Sequence, residues 1–351
     1  MANQLKRSTR LTVPGGIAVL AIMALPLLAQ EVEVEVFTIP RPLDMSSPTY
    51  PAAQSMRGEE GRVVIEFMVD AEGRAFDPVV LETSGDRNFR ERAIEALMDS
   101  RFEPARLDGE AIVGSSRIMY RFEMEGGPGR ATPNFSSAYR RFQRSLQDND
   151  AEEIAQDLAF LEQTGARNRY ENAFLGLARY SKAVLDGDAQ EQLSQLRQAL
   201  SLSHDAEDST HLEEELVRDL RRAQLNLQIQ NNFFAEAMKT FELMQETGDQ
   251  DGVEAFTQAM ESVESVRHDD TQYVIPLDLD ESGSASASLF KSGFALVDGE
   301  GDIAEVVLRC ERQYVAFPVE REISYDVPTE WGDCSIQVFG DSDASVFLMQ
   351  L

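Results

Sequence analysis

Val63, Ile65, Phe67 and Val69 fall on one face of the run Gly61 to Asp70, the period of two that marks a β-strand. Asp70-Ala71-Glu72-Gly73 then supplies turn chemistry, because glycine tolerates positive φ and aspartate bonds back to its own backbone. Arg74 to Thr83 reads as the returning strand. Pro78 within it lacks a backbone donor and suits an edge or a bulge. Between Asn88 and Arg101 the period changes: Phe89, Ala93, Leu97 and Arg101 recur at helical spacing, and Ile94 and Met98 widen the stripe. Phe102-Glu103-Pro104 lies beyond that helix, since proline cannot continue it. Alternation resumes in Ile118, Tyr120 and Phe122, so the spacing predicts a ββαβ unit over residues 48–125.

From Phe135 to His268 the periodicity is helical and recurrent. Asp148-Asn149-Asp150-Ala151 and Asp186-Gly187-Asp188-Ala189 are matching turns about 38 residues apart, and Gln230-Asn231-Asn232-Phe233 is a third about 44 further on. Phe135, Tyr139, Phe142 and Leu146 precede the first turn, and Ile154, Leu158 and Leu161 follow it. Tyr170, Phe174, Leu177 and Val184, then Leu193, Leu196 and Leu200, flank the second. Leu212, Leu216, Leu220, Ala223 and Leu227, then Phe233, Ala237, Phe241 and Met244, flank the third. Val253, Phe256, Met260 and Val263 read as a capping helix. Stacked hairpins of this kind bury a stripe that no single hairpin buries alone. The array is similar in architecture to tetratricopeptide-type solenoids, with periods longer than the roughly 34 residues of that family.

After Asp269-Asp270 the pattern turns to strands. Phe294 to Val297 and Ile303 to Leu308 read as a hairpin over Asp298-Gly299-Glu300-Gly301-Asp302. Ser335 to Phe339 and Val346 to Leu351 add strands, predicting a small β-sandwich over residues 269–351. The expected fold class is α+β and multidomain. It comprises a signal peptide or membrane anchor (1–29), a linker (30–47), the ββαβ unit (48–125), a Gly-Pro linker (126–134), the helical repeat (135–268) and the β-rich unit (269–351).

Composition narrows the chemistry. Lys6, Arg7 and Arg10 precede an apolar run from Ile17 to Ala29, the charged head and apolar core of a secretory signal. The run is about 13 residues, against the roughly 20 that span a bilayer core. Cleavage after Ala29 and export are expected, and Leu11 to Ala29 read as a poor membrane helix is the alternative. The chain's two cysteines, Cys310 and Cys334, both fall in the β-rich tail, where an oxidising compartment favours a bridge. Closing that loop stabilises by roughly 3 to 4 kcal/mol on the chain-entropy account. A formal net charge of −30 disfavours nucleic acid and anionic membrane surfaces as partners.

No nucleophile–base pair, phosphate-cradling glycine loop or His-Glu-x-x-His motif occurs, so no enzyme, cofactor or small-molecule substrate is expected. His204, His211 and His268 read as solvated positions. Asp278, Asp280 and Glu281, and likewise Asp298, Glu300 and Asp302, gather hard oxygen ligands without the spacing of an EF-hand, and no metal is assigned to them.

One resemblance ties the first unit together. Pro48-Thr49-Tyr50-Pro51, Glu60-Gly61-Arg62-Val63, Asp70-Ala71-Glu72-Gly73-Arg74, Ala93-Ile94-Glu95-Ala96-Leu97, Arg101-Phe102-Glu103-Pro104-Ala105 and Asp108-Gly109 occur in the order found in the TonB energy-transducer family. The stretch resembles that family's C-terminal domain over roughly a fifth of the chain. The resemblance implies a periplasmic module that grips a short peptide of an outer-membrane receptor as a strand beside its own last strand. Here that strand maps to Arg117, Ile118, Met119, Tyr120, Arg121, Phe122 and Glu123, with Tyr50 at the Tyr-Pro start. Arg117, Arg121 and Glu123 read either as partner contacts or as guards of an exposed edge. Well-known members carry a Gln and an Arg near Tyr-Pro, where this chain has Ser47-Pro48-Thr49.

Two functions follow. The first is a TonB-type transducer that captures an extended receptor peptide and couples to inner-membrane motor proteins. The unit's early place in the chain reverses the family's order, and Gln30 to Ser47 reaches at most about 60 Å. The second is a periplasmic scaffold whose helical repeats bind another envelope protein without energy coupling.

Overall fold

The structure, a computed structural model, describes residues 36–85, 87–124, 130–201, 212–319 and 323–351. The expected signal peptide or anchor at 1–29, Gly126-Gly127-Pro128-Gly129, His204 and His211 lie outside the described residues. Among the described residues no helix is long and apolar enough to cross a membrane.

The first unit is built on β3 (Gly61–Val69), which pairs antiparallel with β4 (Ala75–Ser84) on one side and β8 (Gly114–Phe122) on the other. Helix α2 (Arg87–Asp99) lies on one face and buries Phe89, Ala93 and Leu97 against Val63, Ile65, Phe67 and Phe122. Phe89 and Phe122 meet at 4.6 Å between ring centroids. Helix α1 (Ala52–Arg57) precedes this core. Asp77 and Pro78 together oppose Phe67, because the register jumps between Glu66/Val79 and Met68/Phe76. Pro78 thus sits at a bulge on an edge strand, where its missing donor leaves no ladder bond unmade.

Three expectations for this unit change. The helix stops at Asp99 rather than reaching Arg101: the Ser100 hydroxyl donates to the Ala96 carbonyl at 2.7 Å, and Arg101 opens β5 (Arg101–Glu103). The linker expected at 30–47 is structured where it is described. There β1 (Phe37–Thr38) pairs with β6 (Ala105–Leu107), and β2 (Arg41–Asp44) pairs with β5. Short, mostly exposed strands of this kind carry too little apolar alternation to be read locally. Finally, β3 is buried on both faces apart from Glu66, although its alternation marks only one core face. The second face is covered by later parts of the chain. Strand β7 (Glu110–Ile112) completes a hairpin with β6 through Asp108-Gly109, both at positive φ, as a two-residue turn matched to strand twist demands.

The helices are α3 (Pro133–Asp148), α4 (Ala151–Thr164), α5 (Arg169–Asp186), α6 (Ala189–Ser201), α7 (Glu214–Gln230), α8 (Phe234–Glu246) and α9 (Gln250–His268), and each packs on its neighbours in sequence. The two matching turns share one mechanism. Asn149 and Gly187 close a helix in the left-handed conformation, and Asp150 and Asp188 then cap the next by accepting from its first-turn amides. Val184 was expected in the apolar stripe but is 47% exposed.

Two four-stranded sheets face each other in the tail. One holds β9 (Tyr273–Asp278), β11 (Gly293–Val297), β14 (Ser324–Asp326) and β16 (Ser345–Gln350); the other holds β10 (Ser284–Ser288), β12 (Ile303–Cys310), β13 (Tyr314–Pro318) and β15 (Cys334–Gly340). The expected hairpin between β11 and β12 does not form, because these strands belong to different sheets. Positive φ at Asp298, Gly299 and Gly301 carries the chain across, and Glu300 bonds to Ser345 instead. Cys310 and Cys334 are directly opposite on β12 and β15 and are joined as a disulfide. One buried cluster runs from Leu225, Phe241 and Met260 of the last helices into Phe294, Ile336 and Leu348 of the sandwich. Residue 269 is therefore a change of secondary structure and not a break in packing.

Candidate functional site

β8 pairs with β3 over its full length, Gly61 opposite Phe122 through Val69 opposite Gly114; β12 packs near it, but no other described strand is hydrogen-bonded to its second edge. Ser115 fixes which backbone groups face outward: its amide donates to the Glu311 carbonyl at 3.2 Å, away from β3. The two-residue period of a strand puts the N–H and C=O of Arg117 and Met119 on that same outward side. At the far end the Glu123 carboxylate meets Arg169 of α5 at 3.1 Å. The open stretch of β8 is thus bounded by the β-sandwich at one end and by the helical array at the other.

Side chains divide by the same period. Ile118, Tyr120 and Phe122 point into the core beneath α2. Arg117, Met119 and Arg121 project from the opposite face, where Arg117 pairs with Glu66 at 3.4 Å and the Arg121 Nε lies 3.3 Å from the Met119 Sδ. A groove of about 530 Å³ separates this face from α6, α7 and α8. Arg62, Arg117, Arg197 and Lys239 line it, against a single carboxylate, Glu82. Ile118 also lines it although its side chain packs on α2, so the cavity reaches the backbone of β8.

Comparison with known proteins places this edge in a family. Residues 46–124 match the model of the Gram-negative bacterial TonB protein C-terminal. Those residues form a TonB C-terminal segment. Protein TonB of Pseudomonas aeruginosa is 35% identical over 85 residues, 24% of this chain and 25% of that protein. Protein TonB of Vibrio cholerae is 35% identical over 79 residues, 22% of this chain and 32% of that protein. The solution NMR structure of the Pseudomonas aeruginosa TonB CTD shares 36% identity, covering 25% of this chain and 89% of that one with a TM-score of 0.23. The chain thus spans only a quarter to a third of the length of the curated relatives it matches. TonB proteins are energy transducers and not enzymes.

Within the TonB segment, the residues expected to meet a partner have distinct surroundings. The Tyr50 ring makes edge-on contacts with Phe89 and Phe122 at 5.7 and 5.8 Å, and its hydroxyl donates to the Glu59 carbonyl. Burial, then the charges of Glu60 and Glu59, push its pKa up to about 12. The Tyr120 hydroxyl is likewise pushed up, chiefly by burial. Arg117 and Met119 border the groove, and Glu123 is engaged by Arg169. Cys310 and Cys334 lie in the sandwich and line no part of this groove.

Sequence reasoning missed Arg197 and Lys239, because cationic positions on exposed helix faces carry no local sign of what the fold sets opposite them. Among the described residues no group of three or more His, Cys, Asp or Glu side chains is placed to hold a metal ion. In the acidic run at 278–281, Asp280 instead accepts from the amides of Ser282 and Ser284 as a turn cap.

Proposed function

We propose that this chain is a periplasmic, TonB-type energy-transducer-like protein whose β8 edge takes up an extended peptide of an outer-membrane receptor by strand addition, supporting transport across that membrane. The observation that carries this reading is the unpaired edge of β8, with the backbone of Arg117 and Met119 aimed outward beside a groove. Strand addition draws its affinity from main-chain hydrogen bonds and its register from alternate side-chain pockets. The match to TonB over residues 46–124 supports the class of partner. Export by an N-terminal signal, with coupling to inner-membrane motor proteins, belongs to the same proposal.

The test is amide exchange along β8 in the presence of labelled peptides taken from the periplasm-facing ends of outer-membrane receptors. Binding with slowed exchange at Arg117 and Met119 is expected. Met119→Pro removes one outward donor and is expected to weaken binding roughly tenfold, while the ladder to β3 stays intact. Undiminished binding to Met119→Pro together with unchanged exchange at Arg117 would rule out strand addition.

A second reading has its own observation. Helices α3 to α9 stack in sequence, as a tetratricopeptide-like repeat would, and leave Phe160, Val184 and Leu185 about half exposed. On this reading the chain is a scaffold whose helical repeats bind an envelope protein. Recovery of one envelope protein by both the native chain and Met119→Pro would favour it.

A further inference from the structure

We infer that the groove beside β8 selects a partner strand carrying carboxylates, and that Arg197 of α6 and Lys239 of α8 read that charge. The inference deepens the strand-addition reading and rests on it.

Charge complementarity carries the argument. The chain as a whole has 62 acidic against 32 basic residues, yet the groove's lining reverses that balance, with Arg62, Arg117, Arg197 and Lys239 set against Glu82 alone. The sheet's own two cations have carboxylates nearby: Arg62 lies 3.5 Å from Glu82 and Arg117 3.4 Å from Glu66. The two helix cations are exposed, and among the described residues neither is ion-paired. Arg197 only reaches its own helix, its Nε lying 3.4 Å from the Leu193 carbonyl. An uncompensated positive pair therefore faces the sheet in an otherwise anionic protein.

Strand geometry converts this into a pattern. A peptide added along β8 sends every second side chain to the face that bears Arg117 and Met119, which is the groove side. Those side chains meet Arg197 and Lys239 together with the apolar floor of Val64, Leu200 and Leu243. Acidic residues at the alternate, groove-facing positions answer the two cations, whereas a lysine there meets like charge. The helices responsible lie outside residues 46–124, so this selectivity belongs to the appended part of the chain.

The test uses the full chain and three labelled heptapeptides that alternate Val with Glu, Ser or Lys, followed by fluorescence anisotropy at about 20 mM salt, where surface charge is least screened. The Glu peptide is expected to bind about fivefold tighter than the Ser peptide, the effect of one or two exposed ion pairs. The Lys peptide is expected to bind weakest, and the Glu preference is expected to shrink at high salt. The Arg197→Gln/Lys239→Gln double variant should erase that preference while leaving Ser-peptide affinity and melting temperature unchanged. Equal Glu and Ser affinities in the native chain, or a preference that survives in the double variant, would overturn the inference and leave strand addition standing. Failure of all three peptides to bind, with unchanged amide exchange along β8, would overturn both.

Discussion

Glu171 is fully buried, yet its carboxylate accepts from the Thr132 amide at 2.6 Å and the Arg167 amide at 2.7 Å, so one side chain ties the start of α3 to that of α5. Replacing it by alanine strands both donors. Glu171→Ala is expected to cost about 3 kcal/mol, measured by urea unfolding. Asp249 plays a comparable part between α7 and α9: it accepts from Arg222 Nε at 2.9 Å and from the Gly252 amide at 3.2 Å. The Arg222 hydrogen bond, aided by that amide, holds its carboxyl below the usual carboxylate range against the opposing effect of burial. A depressed native pKa contributes stability above the unfolded value near 4, and that stability is lost as pH falls through the lower native value. Asp249→Asn should therefore destabilise by about 2 kcal/mol at neutral pH. It should also flatten the acid limb of the stability profile, read as melting temperature from pH 7 to pH 2.

At the scale of elements, β3 was legible and its surroundings were not. Val63, Ile65, Phe67 and Val69 announce a core face by alternation, and the helix that covers it is legible from Phe89, Ala93 and Leu97. Val64 and Met68 lie on the other face and are also buried, because distant elements cover them. The Arg309 guanidinium of β12 bonds to Asp77 at 2.8 Å, and Tyr314 of β13 meets Phe76 edge-on at 5.1 Å. Arg309 is 4% exposed, so Arg309→Ala deletes a nearly buried pair. It is expected to destabilise by about 3 kcal/mol and to speed amide exchange in β4. The β11–β12 hairpin failed as an expectation for a related reason. Glycine-rich turns fit both a hairpin and a crossing between sheets, and only the pairing of β11 with β16 and of β12 with β15 decides between them.

Across the whole molecule, the cluster that joins Leu225, Phe241 and Met260 to Ile336 and Leu348 gives the last helices and the sandwich one shared core. The Cys310–Cys334 bridge lies within it. Its loss in Cys310→Ser/Cys334→Ser is expected to remove about 3 kcal/mol. Hydrogen exchange should then rise together in α7–α9 and the sandwich, while the core of α3 and α4, a separate cluster around Phe142 and Leu161, keeps its protection. The sequence by itself determined the main strands and the helix of the first unit, the helices and turns of the array, the disulfide pair and the TonB-like order of motifs, because each is written in neighbouring residues by period, turn chemistry or spacing. The tertiary structure alone decided that the second face of β3 is covered, that β8 ends between the sandwich and α5, and that Arg197 and Lys239 line the same groove as Arg117 and Met119. Those arrangements depend on contacts between residues far apart in the chain, and no local pattern records which distant surface a given face will meet.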